Sequence, residues 1–240
     1  MLSPGKRFHA LNGVSIQINE GESLGIVGSS GAGKTTFAKV ISGQVMPTSG
    51  TFQFRGHSHD FADQSRQREF RREVQFVFQN PKSSFDPRIR IGKSVEEPLR
   101  AFKFPGDHSD LVINTFRKVG LDGQICARFP HELSGGQLQR AAVARALVVG
   151  PKLLIADEPA SSLDVSIRAQ ILNLFRELAD EGNLTLILIA HDLAAVAHAS
   201  KKLAVFDKGR LVESGLTLDI LGNPQSEATR NLVEANLAIR

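Results

Sequence analysis

The hydrophobic residues of the chain recur with two different periods. Short apolar runs typical of buried strands occur near the start and again from Pro151 onward, and most are followed by a stretch with helical spacing. Between Asn80 and Gly150 the apolar residues have helical spacing in several successive runs, which are separated by Phe-Pro and glycine residues. This pattern predicts an α/β fold into which an all-helical segment is inserted.

The predicted strands are short and are bounded by turn residues. The sequence predicts strands at 14–18, 23–27, 51–54, 74–78, 153–156 and 184–189, and a hairpin that joins 203–206 to 211–213. The predicted helices are 36–42, 60–72, 94–102, 109–119, 137–148, 165–179 and 193–199. Asp164 and Asp192 are expected to cap the last two of these helices, and the tail from Leu216 is weakly helical.

A glycine-rich loop follows the strand at 23–27. Its residues have the G-x-x-x-x-G-K-T spacing of a phosphate-binding loop, and they are Gly28, Ser29, Ser30, Gly31, Ala32, Gly33, Lys34, Thr35 and Thr36. The glycines allow successive N–H groups to face phosphate oxygens, and the next helix adds its positive end. Lys34 is expected to reach the β- and γ-phosphates, and the Thr35 hydroxyl to bind Mg²⁺. We therefore predict a nucleoside triphosphate site.

Polar residues stand at the ends of three other predicted strands. Asp157 and Glu158 end one strand, where Asp157 is predicted to hold Mg²⁺ together with Thr35 and Glu158 to polarise an attacking water. His191 ends the next strand and is predicted to contact the γ-phosphate and that water. Gln79 is predicted to bind Mg²⁺ through its amide. For each residue the alternative is an ordinary strand-end loop.

A second anion-binding helix start lies at residues 133–140, which read L-S-G-G-Q-L-Q-R. Ser134 is expected to cap the helix, Gly135 and Gly136 to expose backbone N–H groups, and Gln137 to lie in the first turn. One chain has no evident need for two phosphate sites. The simplest interpretation is that this segment binds the nucleotide held by another subunit.

Composition narrows the class of protein. Hydrophobic residues make up 41% and charged residues 22%, as in ordinary globular proteins, and no apolar run approaches the length needed to span a bilayer. The one cysteine, Cys126, excludes an internal disulfide and any cysteine-only metal site. The densest basic cluster, 64–72, is interrupted by acids, so we expect no nucleic-acid partner. His57 and His59 favour a surface turn over a metal site.

Taken together, these motifs resemble the ATP-binding-cassette (ABC) ATPase family over about residues 10–215. The resemblance implies a P-loop NTPase fold, with a RecA-like core that has an antiparallel β edge and an inserted all-helical subdomain. The implied boundaries are a core of 1–79 and 151–215, a helical signature subdomain of about 80–150, and a short helical tail of 216–240. ATP and Mg²⁺ are the implied cofactors.

The family resemblance also assigns roles and a dimer. Two ATPase subunits, identical or different, face head to tail, so that each ATP touches the glycine loop of one subunit and the signature at Ser134 to Gln137 of the other. Glu158 is then the general base, His191 positions the water and the γ-phosphate, and Asp164 communicates across the dimer. Phe8 is the residue near the start that would stack on adenine, unless it only packs under the first strand.

A narrower resemblance points to the dipeptide, oligopeptide and nickel importer branch. It is carried by five segments, F-Q-N-P at 78–81, S-F-D-P-R at 84–88, I-G at 91–92, E-P-L at 97–99 and R-F-P-H-E at 128–132. It implies a peripheral subunit on the cytoplasmic face of the inner membrane that contacts two permease subunits through about Asn80 to Leu99. The alternatives are a cassette protein without a permease, acting in DNA repair, translation or cluster assembly, and an unrelated P-loop kinase or GTPase.

Overall fold

The computed structural model describes residues 9–60 and 63–237. In these residues the strands are β1 (Ser23–Gly28), β2 (Gln53–Phe54), β3 (His57–Ser58), β4 (Val74–Val77), β5 (Leu153–Asp157), β6 (Thr185–Ile189), β7 (Lys202–Asp207) and β8 (Arg210–Leu216). The helices are α1 (Lys34–Ile41), α2 (Gln64–Glu73), α3 (Ile91–Ala101), α4 (Ser109–Lys118), α5 (Gly135–Leu147), α6 (Val165–Asp180), α7 (Leu193–Ala199), α8 (Thr217–Gly222) and α9 (Glu227–Leu237).

One sheet organises the molecule. Its strand order is β4-β5-β6-β1-β7-β8, with parallel pairing from β4 through β7 and antiparallel pairing of β8 at the edge. Every residue of β1, β5 and β6 is buried, because helices cover both faces of a parallel sheet. The predicted α/β class, with its antiparallel edge, is confirmed.

The parallel register brings four chain segments to one edge of the sheet. Ile189 at the end of β6 lies opposite Asp157 of β5 and Ile26 of β1, and Gly28 lies opposite Phe206 of β7. Loops that leave the carboxyl ends of neighbouring parallel strands share one side of the sheet. The residues that follow β4, β5, β6 and β1 therefore meet there.

The inserted helices α3, α4 and α5 share their core with the sheet. Phe116 and Leu99 of the insert are fully buried and belong to the same apolar cluster as Leu154 of β5. Burial of each such side chain stabilises the fold by about 1.5–3 kcal/mol. The insert is thus held to the sheet by common packing.

The predicted strand at 14–18 is wrong. Val14, Ile16 and Ile18 do alternate with exposed residues and pack against the core around β1, but no strand is formed there. Hydrophobic alternation determines which side chains turn inward, whereas a strand also needs a backbone partner. The strand expected at 51–54 is likewise reduced to Gln53–Phe54, and the helix expected from residue 60 begins at Gln64.

Strand β3, where a surface turn was expected at His57, was not predicted. The other helices and strands follow the predicted order, with ends shifted by a few residues, and the tail forms α8 and α9. Cys126 is half-buried against the core of the insert, as expected for a packing residue, and burial raises the pKa of its thiol. Among the described residues, no helix combines the length and the apolar composition that crossing a bilayer requires.

Candidate nucleotide site

The glycine loop leaves β1 through two positions that only glycine can fill. At Gly28 the backbone has φ of +155°, and a Cβ would lie 2.2 Å from the carbonyl oxygen of Phe206. At Gly33 φ is +99°, and a Cβ would lie 2.5 Å from the carbonyl oxygen of Ala10. The loop therefore packs tightly against neighbouring backbone and leads directly into α1. The free N–H groups of the first turn of α1 face the loop.

Lys34 is buried inside this loop. Its side-chain amine donates hydrogen bonds to the carbonyl oxygens of Gly28, at 2.7 Å, and Ser29, at 2.9 Å, and the residue is 7% exposed. Burial lowers the pKa of the amine, and the neighbouring carboxylates of Glu158 and Asp157 oppose that shift. An ammonium group has three hydrogens, so one remains for a phosphate oxygen.

Asp157 and Thr35 form the predicted magnesium-binding pair. The Thr35 hydroxyl donates to Oδ1 of Asp157 at 3.3 Å, and Asp157 is 8% exposed. Burial raises the pKa of this carboxyl; the Thr35 hydrogen bond opposes the shift and the charge of Glu158 adds to it. A divalent cation would favour the ionised form, and a hydroxyl and a carboxylate are ligands of the kind that Mg²⁺ binds.

These two oxygen ligands do not make a complete protein site for a metal. Within residues 9–60 and 63–237 no group of three or more His, Cys, Asp or Glu side chains could hold a metal ion, and this includes the H-x-H at His57 and His59. Mg²⁺ usually keeps waters and binds substrate phosphates besides one or two protein ligands. The pair therefore fits a cation that arrives together with a nucleotide.

Glu158 follows Asp157 in a left-handed backbone conformation, with φ of +48°. Its backbone N–H donates to the carbonyl of Ile189 at 2.8 Å, which ties the turn to the end of β6. The same turn places Oε2 of Glu158 at 3.8 Å from Nδ1 of His191. Two strand ends thus bring a carboxylate and an imidazole together beside the glycine loop.

Gln79 also reaches this carboxylate. Its Nε2 donates to Oε2 of Glu158 at 3.0 Å and to the Ser161 hydroxyl at 3.2 Å. The structure therefore brings Gln79 to the predicted base, while its role as a ligand of Mg²⁺ stays a prediction. Gln79 joins the site from the end of β4, 79 residues earlier in the chain.

Ser161 is a site residue that the sequence reasoning missed. Its hydroxyl donates to the backbone carbonyl of Glu158 at 3.1 Å and accepts from Gln79. A serine three residues after a strand-end carboxylate can close the turn through its hydroxyl, and that spacing was the available signal. Ser161 fixes the backbone that presents Glu158.

The signature segment forms a capped helix start. The backbone N–H of Gln137 donates to the Ser134 hydroxyl at 3.3 Å, and the Gln137 side chain accepts from the Ser134 N–H at 3.0 Å. This is a reciprocal capping box, and it confirms Ser134 as the cap. In the described part of the chain, the hydrogen bonds of these two side chains run within the helix start and none reaches the glycine loop.

Four further residues were predicted to belong to the site, and the structure describes three of them. Asp164 caps α6 through a hydrogen bond from the N–H of Ile167, at 3.0 Å, as predicted, and its side chain is exposed. Ser30, in the glycine loop, is exposed, and Thr36, in the first turn of α1, is half-buried. Phe8, the residue expected to stack on adenine, lies outside the described residues.

Comparison with known proteins places this site in a family. The family described as ABC transporter matches residues 11–161. The oligopeptide transport ATP-binding protein OppF of Salmonella typhimurium is 44% identical over 235 residues, which cover 97% of this chain and 70% of OppF. The dipeptide transport ATP-binding protein DppF of Haemophilus influenzae is 41% identical over 232 residues, covering 96% of this chain and 71% of DppF.

Solved structures agree with the sequence relatives. The dimeric ATP-binding cassette MJ0796, in a post-hydrolysis state with ADP and phosphate, superposes with a TM-score of 0.78 at 28% identity and covers 90% of this chain and 94% of its own. The cbiO1 protein of Clostridium perfringens gives a TM-score of 0.81 at 27% identity, covering 97% and 89%. The resemblance predicted from the motifs is confirmed, and the chain belongs to the ABC transporter family as an ATP-hydrolysing subunit.

Proposed function

We propose that this chain is the ATP-hydrolysing subunit of a membrane importer for short peptides, nickel or a related solute. The convergence of Gln79, Glu158 and His191 beside the glycine loop carries the proposal, because it supplies a water-activating group next to a triphosphate site. The similar curated proteins are oligopeptide, dipeptide and glutathione import subunits, which favours an importer over a cassette protein without a permease.

Each residue of the site has a proposed task. Lys34 and the glycine loop hold the phosphates, and Thr35 with Asp157 holds Mg²⁺. Glu158 accepts a proton from the attacking water, and His191 orients that water against the γ-phosphate. Gln79 donates to Glu158 and so keeps the acceptor oxygen directed into the site.

The site is proposed to be completed by a second ATPase subunit, identical or different. The Ser134 hydroxyl accepts from its own helix, which leaves its hydrogen free to donate to a phosphate oxygen held by the partner. Val165, next to Asp164 at the start of α6, is 80% exposed. A large apolar side chain presented beside the loop that carries Asp164 supports a protein partner at this place.

Two permease subunits are proposed to contact the segment from about Asn80 to Leu99, at the cytoplasmic face of the inner membrane. Phe78 and Ile89, beside and within this segment, are 43% and 44% exposed. Arg145 of α5 donates a hydrogen bond to the carbonyl of Ser84, so this segment is bonded to the helix that begins at Ser134. Contact with a permease would therefore act on both the Gln79 loop and the signature helix.

Glu158→Gln tests the proposed catalytic role. The amide keeps the shape of the side chain but cannot take a proton, so the turnover of ATP should fall by about 10²–10⁴-fold. ATP affinity should be unchanged, and a closed dimer should accumulate in size-exclusion chromatography with ATP. Hydrolysis close to the wild-type rate in this variant would remove Glu158 as the base.

A further inference from the structure

The positive charge of the chain is concentrated in one stretch of sequence. Residues 64–103 contain ten Lys and Arg against five Asp and Glu, a net charge of +5, whereas the net charge of the whole chain is +4. The rest of the chain therefore carries a net charge of −1. A partner that this stretch attracts by charge is anionic.

Two helices bring basic side chains of this stretch together. Nη2 of Arg68, in α2, donates to the carbonyl oxygen of Ala101, the last residue of α3, at 3.0 Å. Arg100 precedes that carbonyl and Lys103 follows it by two residues, while Arg71 lies one helical turn from Arg68. All four side chains belong to exposed residues. We call Arg68, Arg71, Arg100 and Lys103 the basic patch.

Lys103 occupies a position that favours glycine. Its φ is +58°, and it ends α3 with a bond from the Phe104 N–H to the carbonyl oxygen of Leu99, at 2.9 Å. Glycine adopts this left-handed conformation without steric cost, and lysine does not. Arg100 is ion-paired with Glu96, whereas within residues 9–60 and 63–237 no acceptor binds the Lys103 ammonium. That ammonium is therefore available to a partner outside the chain.

The basic patch lacks the apolar side chains of a protein interface. Among the residues that the structure describes, no large hydrophobic side chain is exposed in α2 or in 91–103. The first part of the segment proposed to meet the permease differs, because Ile89 and the adjoining Phe78 are exposed. Protein interfaces have an apolar core, whereas an anionic membrane surface attracts Lys and Arg by charge alone. This composition favours a lipid surface over a protein.

We infer that the basic patch binds anionic lipid headgroups beside the permease subunits. The inference rests on the proposed function, which puts the segment from about Asn80 to Leu99 at the membrane face. Arg100 and Lys103 follow this segment directly in the chain, so the patch adjoins the proposed permease contact. Lipid binding there orients the subunit on the membrane with its permease-facing segment toward the bilayer.

Sedimentation of the full chain with lipid vesicles tests the patch. The vesicles contain phosphatidylcholine, either alone or mixed with the anionic lipid phosphatidylglycerol. We expect binding to the anionic vesicles only, and much weaker binding at about 300 mM salt than at about 50 mM, because salt screens these charges. Each Lys or Arg near an anionic surface strengthens binding by about fivefold. Lys103→Gly should therefore bind about fivefold more weakly than wild type, and the double variant Arg71→Gln/Lys103→Gly about 25-fold more weakly.

Lys208→Gly is the matched control. Lys208 is also exposed and has a φ of +45°, but it lies in the turn between β7 and β8, and β8 is the edge of the sheet opposite β4, the strand that follows α2. This variant should bind the anionic vesicles within about twofold of wild type, since its charge is distant from the patch. Glycine suits both backbones, so both variants should keep or raise Tm, and unfolding cannot explain a loss of binding.

Two results would overturn the inference. Equal losses for Lys103→Gly and Lys208→Gly would show that only the net charge matters. Wild type that does not bind anionic vesicles would leave an acidic segment of the permease as the partner of the patch. Vesicle binding needs no hydrolysis, so the two proposals can fail separately. Wild type that binds these vesicles but never hydrolyses ATP would contradict the proposed function alone.

Discussion

Two adjacent residues of the site are held in unfavourable states. Asp157 is a buried carboxyl whose pKa is raised by burial and by the charge of Glu158. Glu158 has a φ of +48°, a left-handed conformation that costs a non-glycine residue about 1–3 kcal/mol. Such features persist only where the surrounding structure imposes them, here through the Glu158 N–H bond to Ile189 and the Ser161 bond to Glu158. The conformation and charge that the proposed chemistry needs at this strand end therefore reduce the stability of the fold.

Asp157→Asn should stabilise the ligand-free chain at neutral pH. Since the pKa of Asp157 is raised on folding, its stabilising contribution is present at low pH and is lost as pH rises through the raised pKa. The amide removes that cost, and a gain of about 1 kcal/mol would raise Tm by about 2–4 °C in a chain of this size. Thermal unfolding at pH 7.5, without nucleotide or Mg²⁺, measures the difference.

The gain should disappear below about pH 4, where the wild-type carboxyl is protonated in both states. It should reverse when Mg²⁺ and ATP are added, because the variant lacks the carboxylate proposed to bind the cation. Asp180→Asn, at an exposed position, is the matched control and should leave Tm nearly unchanged at every pH. A Tm for Asp157→Asn below that of wild type at pH 7.5 would contradict the argument.

Single residues of the site were largely predictable because short-range chemistry specifies them. The glycine loop, Asp157, Glu158 and His191 follow from spacing and from their place after apolar runs. The bonds from Gln79 to Glu158 and to Ser161 were not predictable, since they depend on which strands become neighbours in the sheet. The bond from Ser161 to the Glu158 carbonyl is local, and its three-residue spacing was a signal that the sequence reasoning did not use. The roles of all these residues in catalysis stay predictions.

At the scale of elements, the loop that carries Asp164 depends on the cap of α6. The Asp164 carboxylate accepts from the Ile167 N–H, and the same residue is proposed to face the partner subunit. One side chain caps a helix and, in the proposed dimer, would also serve the contact between subunits. Substitutions that keep or remove the cap can separate the two.

Asp164→Ala should lower the free energy of unfolding by about 1 kcal/mol through loss of the cap. Asp164→Asn keeps an oxygen that can accept from Ile167 and should unfold at the wild-type urea concentration. If the charge of Asp164 acts across the dimer, both variants should hydrolyse ATP more slowly. Full activity in Asp164→Asn would restrict this residue to capping.

α5 and α6 pack closely because Gly136 of α5 has no side chain. A Cβ on Gly136 would lie 2.6 Å from Cγ2 of Ile167, so Gly136→Ala should destabilise the chain by about 1–3 kcal/mol. Ile167→Ala removes the colliding atom, and the double variant should recover part of the loss. Urea unfolding of the two single variants and the double variant measures the coupling. Strictly additive effects would show that the two helices do not press together here.

Helices and strands were predicted well where a regular hydrophobic pattern extends over many residues. They were predicted poorly where a strand depends on a partner that is distant in the sequence. The helices α5, α6 and α7 were expected within a few residues of their observed ends. The strand expected at 14–18 failed because its alternation reports burial, and no ladder forms in the described residues to complete it. Contact partners, rather than local preference, decided that case.

At the scale of the whole molecule, we propose that the chain carries two separate parts of a nucleotide site. The glycine loop with its strand-end residues is one proposed part, and the capped start of α5 at Ser134 is the other. In the described residues no hydrogen bond joins them. A head-to-tail pair of subunits would bring each part to its complement.

Mixing two inactive variants tests this arrangement. Lys34→Ala disables the glycine loop and Ser134→Arg blocks the signature, so each variant alone should lose hydrolysis. If the chain pairs with itself, half of the dimers in an equal mixture contain both variants and one intact site of two. The mixture should then regain about a quarter of wild-type turnover. Absence of any regained activity would exclude a head-to-tail homodimer.

The length of helix α5 has a consequence for that pairing of subunits. It has 13 residues, which gives an arm about 20 Å long. At its far end lies the Ser134 cap; at its near end Arg145 is bonded to Ser84, and Gly150 follows in open space with φ of +64°. If α5 tilts by about 10° at this end, together with the helices packed around it, its Ser134 end moves by about 3 Å, the length of one hydrogen bond. A small displacement of the segment around Ser84 would therefore be enough to make or break the proposed contact of Ser134 with a phosphate.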